Sequence, residues 1–142
     1  MSFGIAVPPS SNSSECLALP GWPNICVATA RDVLRVDGTV TDDRLLESLT
    51  NAAYAIVSEL AEWRKQQSAD VFNDERLSFL FQRAVHYYAH AELLERYRNF
   101  DVAKNGEKHY ETVAAAAEVS RRNSRWAIAD LLGQTRLTVW VL

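Results

Sequence analysis

Glycine is scarce in this chain, with five among 142 residues, at positions 4, 21, 38, 106 and 133. Each falls where a turn or a helix end is expected, so none is left over for a phosphate-cradling loop. The Gly-Lys-Ser/Thr and Gly-x-Gly-x-x-Gly patterns of nucleotide sites are missing, and so is the Gly-x-Ser-x-Gly nucleophile turn. No stretch approaches the roughly 18 consecutive apolar residues of a membrane span. The first nine residues lack the basic start and long apolar run of a signal peptide. Basic residues are not in excess: the net charge of −3 argues against generic adhesion to nucleic acid or an anionic membrane. Two cysteines, Cys16 and Cys26, are too few for a disulfide scaffold. They are expected as reduced thiols in a reducing cytoplasm.

What the chain does have is helical periodicity. The expected fold is all-α: an antiparallel bundle of three long helices plus a short N-terminal helix, with an extended N-terminal arm and a C-terminal β-strand tail. Three regions follow, an arm over 1–23, a helical bundle domain over 24–133 and a strand tail over 134–142. Pro8, Pro9, four nearby serines and Pro20-Gly21-Trp22-Pro23 break regular structure in the arm, with Leu17, Leu19 and Trp22 as its anchors. A short helix covers 24–36. Asp37-Gly38 then signals a turn, with Arg35 beside it and Gly38 a candidate for positive φ. Thr41 is a strong N-cap, Asp42 and Asp43 suit the positive helix end, and Val40 can pack on Leu45. That second helix runs to about Gln67. A third starts from an Asn73 cap and runs to about Asn99, and a fourth covers 107–132, its inward face including Val113, Ala117, Ser124 and Ile128. Tyr88 belongs with Leu49, Ile56, Leu60, Phe81 and Val85 in the expected core. Small residues in the middle of the fourth helix should let a neighbour approach closely. From Thr135, Leu137, Val139 and Val141 alternate with Arg136, Thr138 and Trp140, the pattern of a strand. A lone strand needs a partner for its backbone, so this tail is expected to pair with another molecule.

Candidates for chemistry are few. His86 and His90 stand four apart on the third helix, the spacing of two metal ligands. However, the Glu that a hydrolytic zinc helix carries beside its first His is here Tyr87, and structural histidines are the better reading. Arg121, Arg122 and Arg125, with Arg136 beyond them, make a small basic cluster. It would suit an acidic protein partner or DNA phosphates, although for DNA, cations at a helix C-terminus and Glu118–Arg122 pairing are the better explanation. No enzyme signature emerges and no cofactor is implied.

Several separated segments carry a resemblance. They are Ala30–Thr41 (Ala-Arg-Asp-Val-Leu-Arg-Val-Asp-Gly-Thr-Val-Thr), Arg44-Leu45, Asn51-Ala52, Glu59-Leu60, Trp63-Arg64, Ala91–Asp101, Gly106–Lys108, Arg121-Arg122, Arg125–Asp130 and Gly133. In this order, from about Leu19 onward, they resemble the head completion/stabilisation proteins (gpL type) of contractile-tailed bacteriophages. The resemblance implies a non-enzymatic virion component of the head–tail neck, made in the host cytoplasm. Such a component would bind beneath the portal protein in a ring of like subunits, seal the DNA-filled head and receive the tail terminator. Non-specific contact with packaged DNA is a further implied role, and no membrane is involved. The residues expected to meet the portal or a neighbouring subunit are Leu137, Val139, Trp140, Val141, Arg121, Arg122, Arg125 and Trp22. Arg35, Asp37 and Gly38 are expected as a structural turn. Two rivals are a soluble helical regulatory module that binds one protein through its tail strand, and a metal-dependent enzyme built on His86 and His90.

Overall fold

The computed structural model describes residues 15–136 other than Gly106, and the side chains of that span outside 97–110. Its first feature is a tight turn at Leu19-Pro20-Gly21-Trp22. The Trp22 N–H donates to the Leu19 carbonyl at 3.0 Å, and Gly21 takes φ 85°, which a Pro-Gly pair supplies at little cost. The turn reverses the chain so that β1 (Cys16–Leu17) pairs antiparallel with β2 (Ile25–Cys26), Cys16 lying opposite Cys26. The two cysteines are disulfide-bonded. This corrects the expectation of free thiols; of the expected 1–23 arm, only residues 15–23 are described. Direct opposition in a hairpin brings together two residues ten apart in sequence.

Next comes α1 (Val27–Leu34), shorter than expected because its first residues are spent on β2. Arg35 ends it in the left-handed region at φ 56°. Thr41 caps α2 (Asp42–Glu59) by accepting the Arg44 N–H at 3.2 Å, and Val40 and Leu45 are both buried in the core. The expected single helix to Gln67 is interrupted. Leu60, fully buried, leaves helical geometry at φ −95°, ψ 7°, and the short α3 (Ala61–Lys65) follows. A short 3-10 turn, Val71–Asn73, leads to α4 (Glu75–Asn105). Its cap is Asp74 rather than Asn73: the Asp74 carboxylate accepts the Arg76 and Leu77 N–H groups at 2.8 and 3.2 Å. At 1.5 Å per residue α4 is about 46 Å long. The last helix, α5 (Glu107–Leu132), stops at Gly133, φ 75°. There the N–H groups of Gly133 and Gln134 turn back to the Asp130 and Ala129 carbonyls.

The helix α4 is the spine of the molecule. Against it α5 runs antiparallel, with Ser124 Oγ donating to the Ala84 carbonyl at 2.8 Å and His90 Nδ1 2.8 Å from Ser120 Oγ. Ala117, Ser120, Ser124 and Ala127 are buried, and their small size permits the close approach. On another flank lies α2, also antiparallel, with Arg96 reaching Glu47 and Asn51 reaching Glu92. Between them α2 and α5 make little direct contact. Among the described residues, the expected bundle of three long helices with a C-terminal strand is therefore replaced by four helices arranged around the α4 spine, with a two-stranded N-terminal hairpin. Of the expected tail strand, Thr135 and Arg136 are described and neither is extended in a sheet; residues 137–142 lie outside the described residues.

Leu49, Ile56, Leu60, Phe81, Val85, Ala117 and Ile128 are buried as expected. Tyr88 is not: it is 38% exposed, because the gap between α2 and α5 opens over it. Val113 is half-buried. At the hairpin end the core is aromatic. The Trp22 ring lies 5.0 Å from Phe81 and 5.5 Å from Phe72, and Trp63 lies 5.8 Å from Phe72, distances at which tilted rings attract one another.

Candidate functional site

The helical repeat spreads the α5 arginines around the helix instead of gathering them. Arg121 turns toward α4 and is ion-paired with Glu95, and also with Glu118 one turn back. The Glu95 hydrogen bond, assisted by Glu118, raises its already high pKa further. Arg125 reaches across to α2 and pairs with Glu59 at 3.0 Å. Arg122 faces away from the spine, its guanidinium 4.4 Å from the Trp126 ring centre. Arg136 folds back over the same ring at 4.7 Å and grips both Asp130 oxygens at 2.9 and 3.3 Å. The expected basic patch is thus divided. Carboxylates neutralise Arg121, Arg125 and Arg136, whereas Arg122 stacks on Trp126 and hydrogen-bonds Asn123 at 3.2 Å. Buried N–H donors without acceptors sit on both Arg122 (Nε) and Trp126 (Nε1). The expected Glu118–Arg122 pair is replaced by Glu118–Arg121.

Where α2 and α5 fail to close, a groove of about 510 Å³ runs along α4. Tyr88 and Ala91 lie along it, and Asn51, Glu92, Glu95, Arg121 and Arg125 line it as well. Its charges are mutually paired, so it has neither strong sign nor free nucleophile.

Trp22 is the one arm residue assigned to partner contact, and it is half-buried against Phe72 and Phe81. Arg64 secures the loop around it. It donates to the carbonyls of Gly21 at 3.1 Å, Ser68 at 3.2 Å and Ala69 at 3.4 Å, and lies over Phe72.

The Arg35–Asp37–Gly38 segment joins α1 to α2. The Asp37 carboxylate accepts the Thr39 hydroxyl at 2.5 Å and its N–H at 2.9 Å, and these bonds hold the carboxyl pKa below its usual value. Positive φ falls on Arg35 and not on Gly38, since the end of α1, not the Asp-Gly pair, makes the reversal. What locks the connection is Arg31, which the sequence reading passed over. It donates to the carbonyls of Asp37 and Val40, each at 2.9 Å, and to Asp42 Oδ1 at 2.6 Å. An arginine in the last turn of a helix, ahead of a short loop and an acidic helix start, was the available signal.

His86 and His90 diverge in environment. His86 is 4% exposed, and desolvation lowers its pKa to about 4. His90 bonds Ser120, and burial lowers its pKa too. Among the described residues no three His, Cys, Asp or Glu side chains gather in a metal-holding group, and no helix is long and apolar enough to cross a membrane. Leu137, Val139, Trp140 and Val141 lie outside the described residues.

The comparisons with known proteins bear directly on these features. A head completion/stabilization protein of Escherichia phage P2 is 29% identical over 130 residues, covering 83% of this chain and 77% of that protein. No solved structure matches. A family model described as phage head completion protein (GPL) matches residues 20–142, and the chain accordingly belongs to that family.

Proposed function

We propose that this chain completes the phage head as a structural subunit of the head–tail neck, with no catalytic step. In this reading copies of it form a ring beneath the portal protein, seal the DNA-filled head and receive the tail terminator. The observation that carries the reading is the family match over 20–142, supported by the head completion/stabilization relative. The α5 face bearing Arg122 and Trp126 suits a protein contact. Tryptophan and arginine dominate interface energetics, and here the Arg122 guanidinium stacks 4.4 Å from the Trp126 ring. Arg121 and Arg125 tie that helix to α4 and α2 by pairing with Glu95 and Glu59. This favours protein over DNA, because phosphate binding draws on cations that are free to be neutralised. Leu137, Val139, Trp140 and Val141 are assigned to the same partner contacts. The test is a phage in which the reading frame is stopped early. Heads should still package DNA and then lose it, and the protein supplied in trans should restore DNA retention. Full retention of DNA without the protein would refute the reading.

A further inference from the structure

We propose that the Cys16–Cys26 bond is an oxidation latch on the N-terminal hairpin, open while the chain is in a reducing cytoplasm and closed once the particle leaves it. The timing rests on the virion reading above; the latch itself rests on geometry alone.

Among the described residues the hairpin pairs Cys16 with Cys26 and Leu17 with Ile25, and so short a ladder has little stability of its own in water. Its loop has separate anchors. Trp22 is seated against Phe81 and Phe72, and the Gly21 carbonyl takes Arg64 Nε at 3.1 Å. The reduced chain can therefore dock this loop without the bond, with the two thiols left facing one another. On the far side of the bridge, Cys26 leads directly into α1, and the Val27 N–H donates to the Glu15 carbonyl at 3.0 Å. Closing the bridge ties Glu15 and Cys16 to the start of α1, so that this strand can no longer peel away. Cys16 is exposed and Cys26 half-buried, which leaves the sulfurs within reach of a small thiol or disulfide. Cytosolic thiols are kept reduced, whereas extracellular ones oxidise. A small-molecule disulfide is the oxidant required: the Cys16 or Cys26 thiolate attacks it and expels one thiol. The remaining cysteine then attacks the mixed disulfide and expels the second. Two protein thiols and one disulfide thus give one protein disulfide and two small thiols.

Two experiments test this. Hydrogen exchange on the purified full-length chain, oxidised and then reduced with dithiothreitol, should show the 16–26 amides opening about 100-fold more often when reduced. That is the order expected for a bridge closing a loop of about ten residues. A Cys16→Ser, Cys26→Ser double variant should match the reduced chain in either buffer. Equal protection in oxidised and reduced wild type overturns the latch, whether or not the variant folds. Second, iodoacetamide added to intact infected cells should alkylate both cysteines, while the same reagent on released particles should find a disulfide. A disulfide already formed inside cells, or free thiols on released particles, overturns the timing. Absence of the chain from particles removes the virion reading and the timing with it, while the exchange result still decides the latch.

Discussion

Acid should weaken this fold through His86. The side chain is 4% exposed, and burial holds its pKa at about 4 against an ordinary 6.5. Between those values the unfolded chain binds a proton that the folded chain refuses, so stability rises with pH across that window. The contribution is complete above about pH 6.5 and is lost as pH falls toward 4. Below that both states are protonated and the slope vanishes. At 1.36 kcal/mol per unit, the full loss is on the order of 3 kcal/mol, most of it gone by pH 4.5. His90, one turn along and also depressed by burial, adds in the same direction. Urea unfolding followed by tryptophan fluorescence at pH 7.5 and 4.5 measures the difference, and His86→Gln supplies the control. The variant should be less stable at neutral pH but lose much less on acidification. If wild type and variant lose the same amount, His86 is not the group that couples this fold to pH.

Other residues give sharper structural tests by the same unfolding assay. Arg31→Ala should cost about 2–3 kcal/mol by freeing the α1–α2 connection, and Arg31→Lys should not rescue it, because one ammonium cannot replace a forked donor. Ser124→Leu should cost about 1–3 kcal/mol by forcing α5 off α4 at a buried, hydrogen-bonded position. Gly21→Ala should destabilise by roughly 1 kcal/mol because of its φ of 85°. Gly38→Ala should be neutral or slightly stabilising, since its φ is ordinary and an added Cβ meets nothing within 4 Å.

Local chemistry was the part most readable from sequence. Thr41 caps α2 because a hydroxyl ahead of two aspartates has few better uses, and the small-residue face of α5 announced a close helix neighbour. Cap choice at α4 missed by one residue, since Asn73 and Asp74 compete and only the backbone decides. The break at Leu60 left no sign: no Gly or Pro marks it, and the apolar spacing continues through it. At the break Leu60 is fully buried and Trp63 packs its ring 5.8 Å from Phe72. The arginine cluster misled for a related reason. Its carboxylate partners Glu95 and Glu59 lie 26 and 66 residues away in sequence, beyond any local pairing rule. Cys16 and Cys26 looked too few to matter, and only the Pro20-Gly21 turn between them makes them neighbours. Helical spacing likewise placed α2, α4 and α5 in one bundle, because periodicity identifies an inward face but not which helices share it. Tyr88 is the consequence, exposed in the gap that α2 and α5 leave.

Cryo-electron microscopy of the intact particle neck tests the central claim most directly. The expected result is a ring of subunits between the portal and the tail into which this helical body fits, with the α5 face carrying Arg122 and Trp126 against a neighbouring protein. A neck whose density is fully explained by other proteins, in particles that retain their DNA, would contradict it.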